Sequence, residues 1–333
     1  MISTVVVTPT GAASIGTAGL LDSLIKADRA WRLQAGPSWT PLFDVTLVGL
    51  DTDPVACKDG VFLRPPRTVD AVRPDLVIVP ALDDVDHEAS FAANQPWVPW
   101  IQKWHQGGAR IASSCTGAFL VAASGLLDGR RATTHWLFAD LFREWFPEVQ
   151  LTEDQLIVDD GDAISSGGAT AFLTLVLYLV ERYGGHARAA LAAKVLLVDG
   201  HRTSQLPFIG FSATRNHGDP LVRDIQDHIE SHLDDRLETD ELANRFALSA
   251  RSLSRRFGAA TGRTCQSYIR HARIQHAKVL LETTVEPIGR IRDQVGYTDP
   301  AAFRRAFRQE VGITPTDYRI RYGIPSSSPG LER

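Results

Sequence analysis

The feature that most constrains the fold is a short apolar pattern that occurs twice in the last third of the chain. In the first copy, Leu242 and Phe246 precede a short break, Leu253 and Phe257 follow it, and Gly262 ends it. In each half the apolar residues lie four positions apart, which is the spacing of two helices that pack through one face. The pattern therefore predicts a helix, a tight turn and a second helix.

The second copy repeats the first at an offset of 49 residues before the turn and 50 residues after it. Its apolar positions are Ile291, Val295, Phe303 and Phe307, and its final glycine is Gly312, which corresponds to Gly262. The change of offset predicts one additional residue in the second turn. In both copies, arginines lie between the apolar positions of the second helix.

Charge is distributed unevenly along the chain. Residues 242–322 contain 15 Lys and Arg against 6 Asp and Glu, a net charge of +9. Because the whole chain carries −4 and residues 323–333 contribute none, residues 1–241 carry −13. A basic end on an acidic body indicates a polyanionic partner. Charge alone is equally compatible with a solvated, arginine-rich helical domain, but the duplicated pattern favours DNA.

Residues 220–322 resemble the AraC/XylS DNA-binding domain. Besides the two copies, the resemblance rests on Tyr268-Ile269-Arg270 after the first copy and on Gly312-Ile313-Thr314-Pro315 and Tyr318-Arg319 after the second. Residues 264–284 contain no Gly or Pro and predict one long helix that joins the copies. The resemblance implies that two recognition helices enter successive major grooves on one face of the DNA.

The resemblance also implies which side chains face the DNA. These are Arg251, Ser254 and Arg255 in the first copy and Ala301, Arg304 and Arg305 in the second. Arginine can donate two hydrogen bonds to guanine, so the four arginines are candidates for base readout; the alternative is that some of them hold phosphates. One position departs from the family pattern, because Arg292 replaces the small residue represented by Ala243 in the first copy. Its stem must extend towards water, so the second copy is expected to dock differently or bind more weakly.

In the first two thirds of the chain, short apolar strands alternate with helical segments. Strand patterns lie at 4–7, 43–50, 75–80 and 110–113, and helical patterns at 19–31, 98–106 and 171–183. This alternation predicts a parallel sheet covered on both faces, an α/β doubly wound fold. We expect this domain over residues 1–207, a linker over 208–219, an all-α domain with two helix-turn-helix units over 220–322, and a flexible tail over 323–333.

One strand-to-helix junction carries a cysteine. The segment Ser113-Ser114-Cys115-Thr116-Gly117-Ala118-Phe119 ends a strand, turns at the cysteine and begins a helix. Such an elbow exposes a nucleophile above a parallel sheet, and a helix N-terminus favours the thiolate. Together with Ala132-Thr133-Thr134-His135-Trp136, it resembles the ThiJ/PfpI, class I glutamine amidotransferase-like superfamily, specifically the sensor domain of GlxA-type AraC regulators. Over residues 1–200 the resemblance implies a flavodoxin-like, amidotransferase-like sheet. Related regulators often sense nitrogenous small molecules such as amino acids or betaines.

The elbow predicts a ligand pocket formed by Cys115, Thr116, His135, Gly167 and Gly168. Three other interpretations stay open: a nucleophile–base pair of a hydrolase or hydratase, a redox-sensing thiol, or an inert core cysteine. Active relatives usually carry an acidic residue after the first strand, whereas residues 10–17 contain no Asp or Glu. We therefore expect no catalysis.

The combined expectation is a cytoplasmic transcriptional regulator that binds double-stranded promoter DNA and senses a small-molecule effector. A homodimer is expected by analogy with the family, and RNA polymerase is a further candidate partner. No stretch approaches the roughly 18 apolar residues of a membrane span. The three scattered cysteines predict neither a metal site nor a disulfide framework, and no cofactor is expected.

Overall fold

A computed structural model describes residues 1–36, 39–82, 86–168, 170–200, 202–210, 215 and 217–324, apart from the side chain of Asp59. The chain divides into two compact units, Met1–Gln205 and Leu206–Arg333. The division lies slightly before the expected boundary at 207, because Gln205 is buried in the first unit whereas Phe208 packs edge-on against Tyr322 in the second. Residues 211–214 and 216 of the expected linker, and 325–333 of the expected tail, lie outside the described residues.

The first unit is built around a seven-stranded sheet. Its strands and those of two small sheets are β1 (Ile2–Val7), β2 (Phe43–Gly49), β3 (Val55–Ala56), β4 (Phe62–Leu63), β5 (Arg67–Thr68), β6 (Leu76–Val79), β7 (Arg110–Ser114), β8 (Arg131–Ala132), β9 (Gln150–Leu151), β10 (Ile157–Asp159) and β11 (Ala163–Ser166). The main sheet has the order β10-β11-β7-β6-β1-β2-β5 and is parallel except for the β10–β11 pair. The predicted parallel sheet is therefore confirmed.

Helices cover both faces of this sheet. They are α1 (Ser14–Ala35), α2 (His87–Asn94), α3 (Val98–Gln106), α4 (Gly117–Ala123), α5 (Ala139–Trp145), α6 (Ala171–Gly184) and α7 (His186–Leu196). In β6, Val77 and Val79 belong to the apolar layer shared with α3 and α4, while Leu76 and Ile78 belong to the layer shared with α1, α6 and α7. Burying each such side chain contributes about 1.5–3 kcal/mol, so the alternation holds both layers on the sheet. The predicted doubly wound fold is confirmed.

The regular structure described in the second unit is helical. Its α-helices are α8 (Pro220–Ser231), α9 (Thr239–Arg245), α10 (Ala250–Thr261), α11 (Cys265–Thr283), α12 (Ile288–Gln294), α13 (Pro300–Val311) and α14 (Pro315–Tyr322). The helix expected over 264–284 is α11, with Thr264 and Thr284 as its caps. Across the described part of the chain, no helix combines the length and apolarity needed to cross a membrane.

Two separate apolar cores lie in the second unit, and α11 belongs to both. Its first half contributes Tyr268 and Ile269 to a core with α8, α9 and α10, and its second half contributes Ile274 and Leu281 to a core with α12, α13 and α14. One continuous helix therefore carries both helix-turn-helix units, as its uninterrupted sequence predicted.

The turns of the two helix-turn-helix units are equivalent but differ in length. Residues 246–249 separate α9 from α10, whereas residues 295–299 separate α12 from α13, which confirms the additional residue in the second turn. Ala247 and Gly296 occupy the matching left-handed positions, with φ of 54° and 75°. Ser249 caps α10 through the N–H of Ser252, and Asp299 caps α13 through the N–H groups of Ala301 and Ala302. Gly262 and Gly312 end the recognition helices in the left-handed conformation.

Candidate functional site

The second helix of each helix-turn-helix unit, α10 in the first and α13 in the second, presents a polar face to solvent. On the inner side of α10 and α13, Leu253, Phe257, Phe303 and Phe307 are buried. Three positions spaced i, i+3 and i+4 on the outer side of each helix share one face. All six are exposed, as expected: Arg251, Ser254, Arg255, Ala301, Arg304 and Arg305.

The exposed arginines differ in their protein partners. Arg256 donates from Nε and Nη2 to the carboxylate of Asp219 at 2.6 and 3.0 Å, so its charge is used inside the unit. Arg305 has only a long contact with Asp299, with 3.9 Å between Nη2 and Oδ2. Within the described residues, the ion pairs do not include Arg251, Arg255 or Arg304. Their guanidinium groups therefore have donors available for another molecule.

Arg292 differs from its counterpart Ala243 in its surroundings. Ala243 is 1% exposed and lies in the first core. The side chain of Arg292 is 21% exposed, and its Nε donates to Asp293 Oδ1 at 2.8 Å. It also lines a cleft of about 420 Å³ together with Arg304. The second helix-turn-helix unit thus accommodates Arg292 at its edge rather than in its core.

In the first unit, the backbone reverses at the predicted elbow. Strand β7 ends at Ser114, Cys115 has φ 56°, and α4 begins at Gly117. A Cβ on Gly117 would lie 2.4 Å from the carbonyl oxygen of Val79, so the close approach of α4 to β6 requires a glycine there. The elbow geometry is that of a residue lifted above the carboxyl ends of parallel strands.

Cys115 is held through its backbone on both sides. Its N–H donates to the carbonyl of Ser166 at 2.8 Å, and its carbonyl accepts from Thr134 Oγ1 at 2.9 Å. The residue is 6% exposed, so the thiol has little direct access to solvent. Thr116 is fully buried, and its hydroxyl bonds both the N–H and the carbonyl of Leu82. Thr116 therefore anchors the elbow to the segment after β6.

His135 lies beside the predicted glycine turn. Its Nδ1 accepts from the N–H of Leu137 at 3.1 Å, and its ring contacts those of Trp136 and Phe138. A Cβ on Gly168 would lie 3.3 Å from His135 Nε2, so these two predicted site residues are neighbours. The structure thus places His135 beside Gly168. It also bonds Cys115 to Thr134, the residue that precedes His135 in the chain.

Gln205, which was not among the predicted site residues, organises this region. Gln205 is 2% exposed, and its Oε1 accepts from the N–H of Gly168 at 3.0 Å. Its Nε2 lies within hydrogen-bond distance of Thr133 Oγ1 and of three carbonyls, those of Thr134, Glu153 and Gln155. A single glutamine in a polar stretch carries no pattern that could have identified it. Through these hydrogen bonds Gln205, the last residue of the first compact unit, is fixed to the elbow region.

Two buried hydroxyls at the carboxyl ends of the strands lack partners. Ser113 and Ser166 are 1% and 0% exposed, and neither Oγ has a hydrogen-bond partner among the described residues. Ser113 lies two residues before Cys115 on β7, and the backbone carbonyl of Ser166 accepts from the cysteine N–H, but the two side chains point to opposite faces of the sheet. Ligands of open α/β sheets bind outside the carboxyl ends of the strands, where these hydroxyls lie.

Comparisons with known proteins match each unit separately. Residues 40–182 match the DJ-1/PfpI family, and residues 242–321 match a helix-turn-helix domain. The HTH-type transcriptional regulator CdhR of Pseudomonas aeruginosa is 29% identical over 288 residues, which cover 85% of this chain and 84% of CdhR. The HTH-type transcriptional regulator GlxA of Rhizobium meliloti is 30% identical over 219 residues, covering 65% of this chain and 67% of GlxA.

A solved structure is similar to more than half of the chain. The crystal structure of a candidate transcriptional regulator from Vibrio parahaemolyticus has a TM-score of 0.51 at 27% identity, and the match covers 59% of this chain and 98% of that one. The two family matches fall on the two units of the fold, one on each. The chain therefore belongs to the family of transcriptional regulators that join a DJ-1/PfpI domain to an AraC-type helix-turn-helix domain.

Proposed function

We propose that this regulator acts in the cytoplasm by binding double-stranded promoter DNA with α10 and α13. Base readout is assigned to Arg251, Arg255, Arg304 and Arg305. The observation that carries the proposal is the exposure of matching faces on the two recognition helices, with three of the four arginines outside the described ion pairs. A guanidinium free of protein partners can donate two parallel hydrogen bonds to O6 and N7 of guanine.

Sequence selection from a random DNA library with the full chain tests the proposal. We expect a motif with two half-sites about one helical turn apart, roughly 10 base pairs from centre to centre. Arg255→Ala is expected to relax base preference in one half-site, and Arg304→Ala in the other. Each loss corresponds to about 1–3 kcal/mol, because one bidentate contact disappears.

Arg256→Ala is the matched control for Arg255→Ala, because it removes a neighbouring charge that is already bonded to Asp219. This variant is expected to keep the base preference of the wild type. If Arg255→Ala or Arg304→Ala weakens binding equally on every sequence, that arginine contacts phosphate and the assignment to base readout is wrong.

We further propose that the first unit senses a nitrogenous small molecule in a pocket at the elbow. The support is the unpartnered buried hydroxyl of Ser166, the residue whose carbonyl accepts from the Cys115 N–H. A buried hydroxyl without a partner costs free energy, and a ligand that bonds it recovers that cost. Binding alters regulation only if the ligand binds two arrangements of the protein unequally.

Thermal unfolding of the full chain with a panel of amino acids and betaines tests the pocket. A ligand at about 100 times its Kd should stabilise the first unit by about 2.7 kcal/mol. Ser166→Ala should leave the unliganded stability nearly unchanged, since it removes only an unpartnered hydroxyl, while reducing the ligand-induced shift. A panel with no effect, or a shift equal in Ser166→Ala, would contradict this assignment.

Cys115→Ala separates sensing from the two cysteine-dependent alternatives. In the sensing proposal, this variant keeps its ligand-induced stabilisation and its DNA binding. Turnover of a panel compound that Cys115→Ala abolishes would instead support a hydrolase or hydratase. Peroxide-dependent DNA binding that Cys115→Ser abolishes would support a redox sensor.

A homodimer completes the proposal, by analogy with symmetric regulators. Light scattering of the purified chain measures it directly, and a monomer on both free protein and DNA complex would contradict it.

A further inference from the structure

The two helix-turn-helix units meet where α11 passes from one core to the other. The first core is the one that α11 shares with α8, α9 and α10, and the second core is the one that it shares with α12, α13 and α14. Ile269 belongs to the first core and Ile274 to the second, and half-buried Arg273 lies between them in the chain. A bend of α11 at this junction would change the angle between the two helix-turn-helix units.

The guanidinium of Arg273 is bonded to the first core. Its Nε donates to the carbonyl of Leu233 at 2.9 Å, and its Nη2 donates to the carbonyl of Asp235 at 2.6 Å. Both carbonyls lie in the segment between α8 and α9, and the side chain of Leu233 packs against the first core. Hydrogen bonds from a charged donor are stronger than those between neutral groups, and the planar guanidinium fixes their directions.

The same guanidinium faces the turn of the second helix-turn-helix unit. Its central carbon lies 5.6 Å from the centre of the Tyr297 ring, which is a cation–π distance, and Tyr297 packs against the second core. Gly296 lies even closer, because a Cβ there would be 2.3 Å from the carbonyl oxygen of Leu233 and 2.6 Å from Arg273 Nη2. The second turn thus rests on the segment between α8 and α9 and on Arg273. This side chain ties the two units together in addition to α11 itself.

We propose that Arg273 fixes the angle between the two helix-turn-helix units and thereby sets the half-site spacing that the protein accepts on DNA. This inference rests on the proposed DNA binding by α10 and α13, and Arg273 acts in it as a positioning residue. One additional base pair moves the second half-site by about 3.4 Å and rotates it by roughly 34° about the DNA axis. Two rigidly held recognition helices cannot follow that shift without giving up contacts, whereas units that bend at the junction can.

Equilibrium binding of the full chain to three DNA duplexes tests the proposal. One duplex carries the selected motif, and the other two have one base pair inserted into or deleted from the spacer between its half-sites. The wild type should bind the motif at least about tenfold more tightly than either altered duplex, because one recognition helix loses bidentate contacts there. Arg273→Met should lower this ratio at least about threefold, a usual size for the coupling between contacting groups, and should keep the base preference within each half-site.

Arg256→Met is the matched control. Arg256 also donates two guanidinium hydrogen bonds, but both go to Asp219, the N-cap of α8, and so stay within the helices of the first core. This variant should keep the ratio of the wild type. Arg273→Lys is a second test variant, since it retains the charge but lacks the planar fork that spans two carbonyls, and it should also lower the ratio. Circular dichroism verifies that each variant is folded, and Arg273→Lys decides if Arg273→Met is not.

The ratio of affinities separates positioning from a merely structural role. Binding that weakens equally on all three duplexes in the Arg273 variants would overturn the proposal, as would an equal fall of the ratio in Arg256→Met. A wild type that selects a motif but binds all three spacings alike would contradict this inference alone. The absence of any selected motif would instead contradict the proposed base readout, and this inference with it.

Discussion

Replacing Gly296 by Ala tests how the second helix-turn-helix unit holds its turn. Gly296 has φ +75°, and a Cβ there would lie 2.3 Å from the carbonyl oxygen of Leu233 and 2.6 Å from Arg273 Nη2. The left-handed conformation costs an L-residue about 1–2 kcal/mol, and displacing a backbone oxygen adds about 1–3 kcal/mol. We therefore expect Gly296→Ala to lower the free energy of unfolding of the second unit by about 2–5 kcal/mol.

Ala247→Gly is the matched control, because exposed Ala247 holds the equivalent left-handed position in the first helix-turn-helix unit with φ 54°. Removing its Cβ relieves backbone strain but increases the conformational entropy of the unfolded chain. These effects oppose each other, so we expect a change of about 1 kcal/mol or less.

The two domains can be followed separately during urea unfolding, because all seven tryptophans lie within residues 1–205. Tryptophan fluorescence reports the first domain, while far-ultraviolet circular dichroism also reports the helical second domain. Gly296→Ala should shift only the dichroism transition that fluorescence does not follow. If this variant is as stable as Ala247→Gly, the turn relaxes around the Cβ, and the reasoning from its close contacts is wrong.

Three further predictions concern the first unit and use unfolding monitored by tryptophan fluorescence. Gln205→Leu should destabilise it by several kcal/mol, because each buried group left unpaired, including the N–H of Gly168, costs about 1–3 kcal/mol; an unchanged midpoint would contradict this. Gly117→Ala should cost about 1–3 kcal/mol through its contact with a carbonyl of β6, and an equally stable variant would show that α4 can move away. The hydrogen bond from His105 lowers the pKa of Asp162 from 3.8 to about 2, so the carboxylate stabilises the fold above pH 3.8 and this contribution disappears as the pH falls to about 2. Asp162→Asn should flatten the loss of stability in that window, and an unchanged acid profile would refute the assignment.

Much of the second domain could be predicted because its signals are local. The spacing of four residues between apolar positions identified Leu253 and Phe257 as buried, and the change of offset identified the longer second turn. The resemblance to the AraC/XylS domain implied that Arg255 and Arg304 lie on the exposed faces, and both are exposed. In a short helix, the face that a side chain occupies follows from its sequence position alone.

The elbow was also predictable, because the sequence shows it within a few residues. A strand pattern ends, a cysteine follows, and a helix begins with the small residues Gly117 and Ala118. Which side chains surround the elbow was not predictable, since they come from distant segments. Thr134, Ser166 and Gln205 reach the elbow region through strand order and loop paths. No short-range pattern reports which hydroxyls such contacts leave without partners.

The sequence by itself determined the two domains, their helices and strands, and the solvent-facing arginines, because backbone periodicity and burial of apolar side chains set these features. Only the tertiary structure decided that Gln205 joins the end of the first domain to the elbow, and that Lys278 is buried with its ammonium bonded to the carbonyl of Ile209. Both residues are polar and carry no periodic signal. Their roles depend on which carbonyls, rings and charges the folded chain brings to them, and Coulombic and hydrogen-bond energies act through space rather than along the sequence.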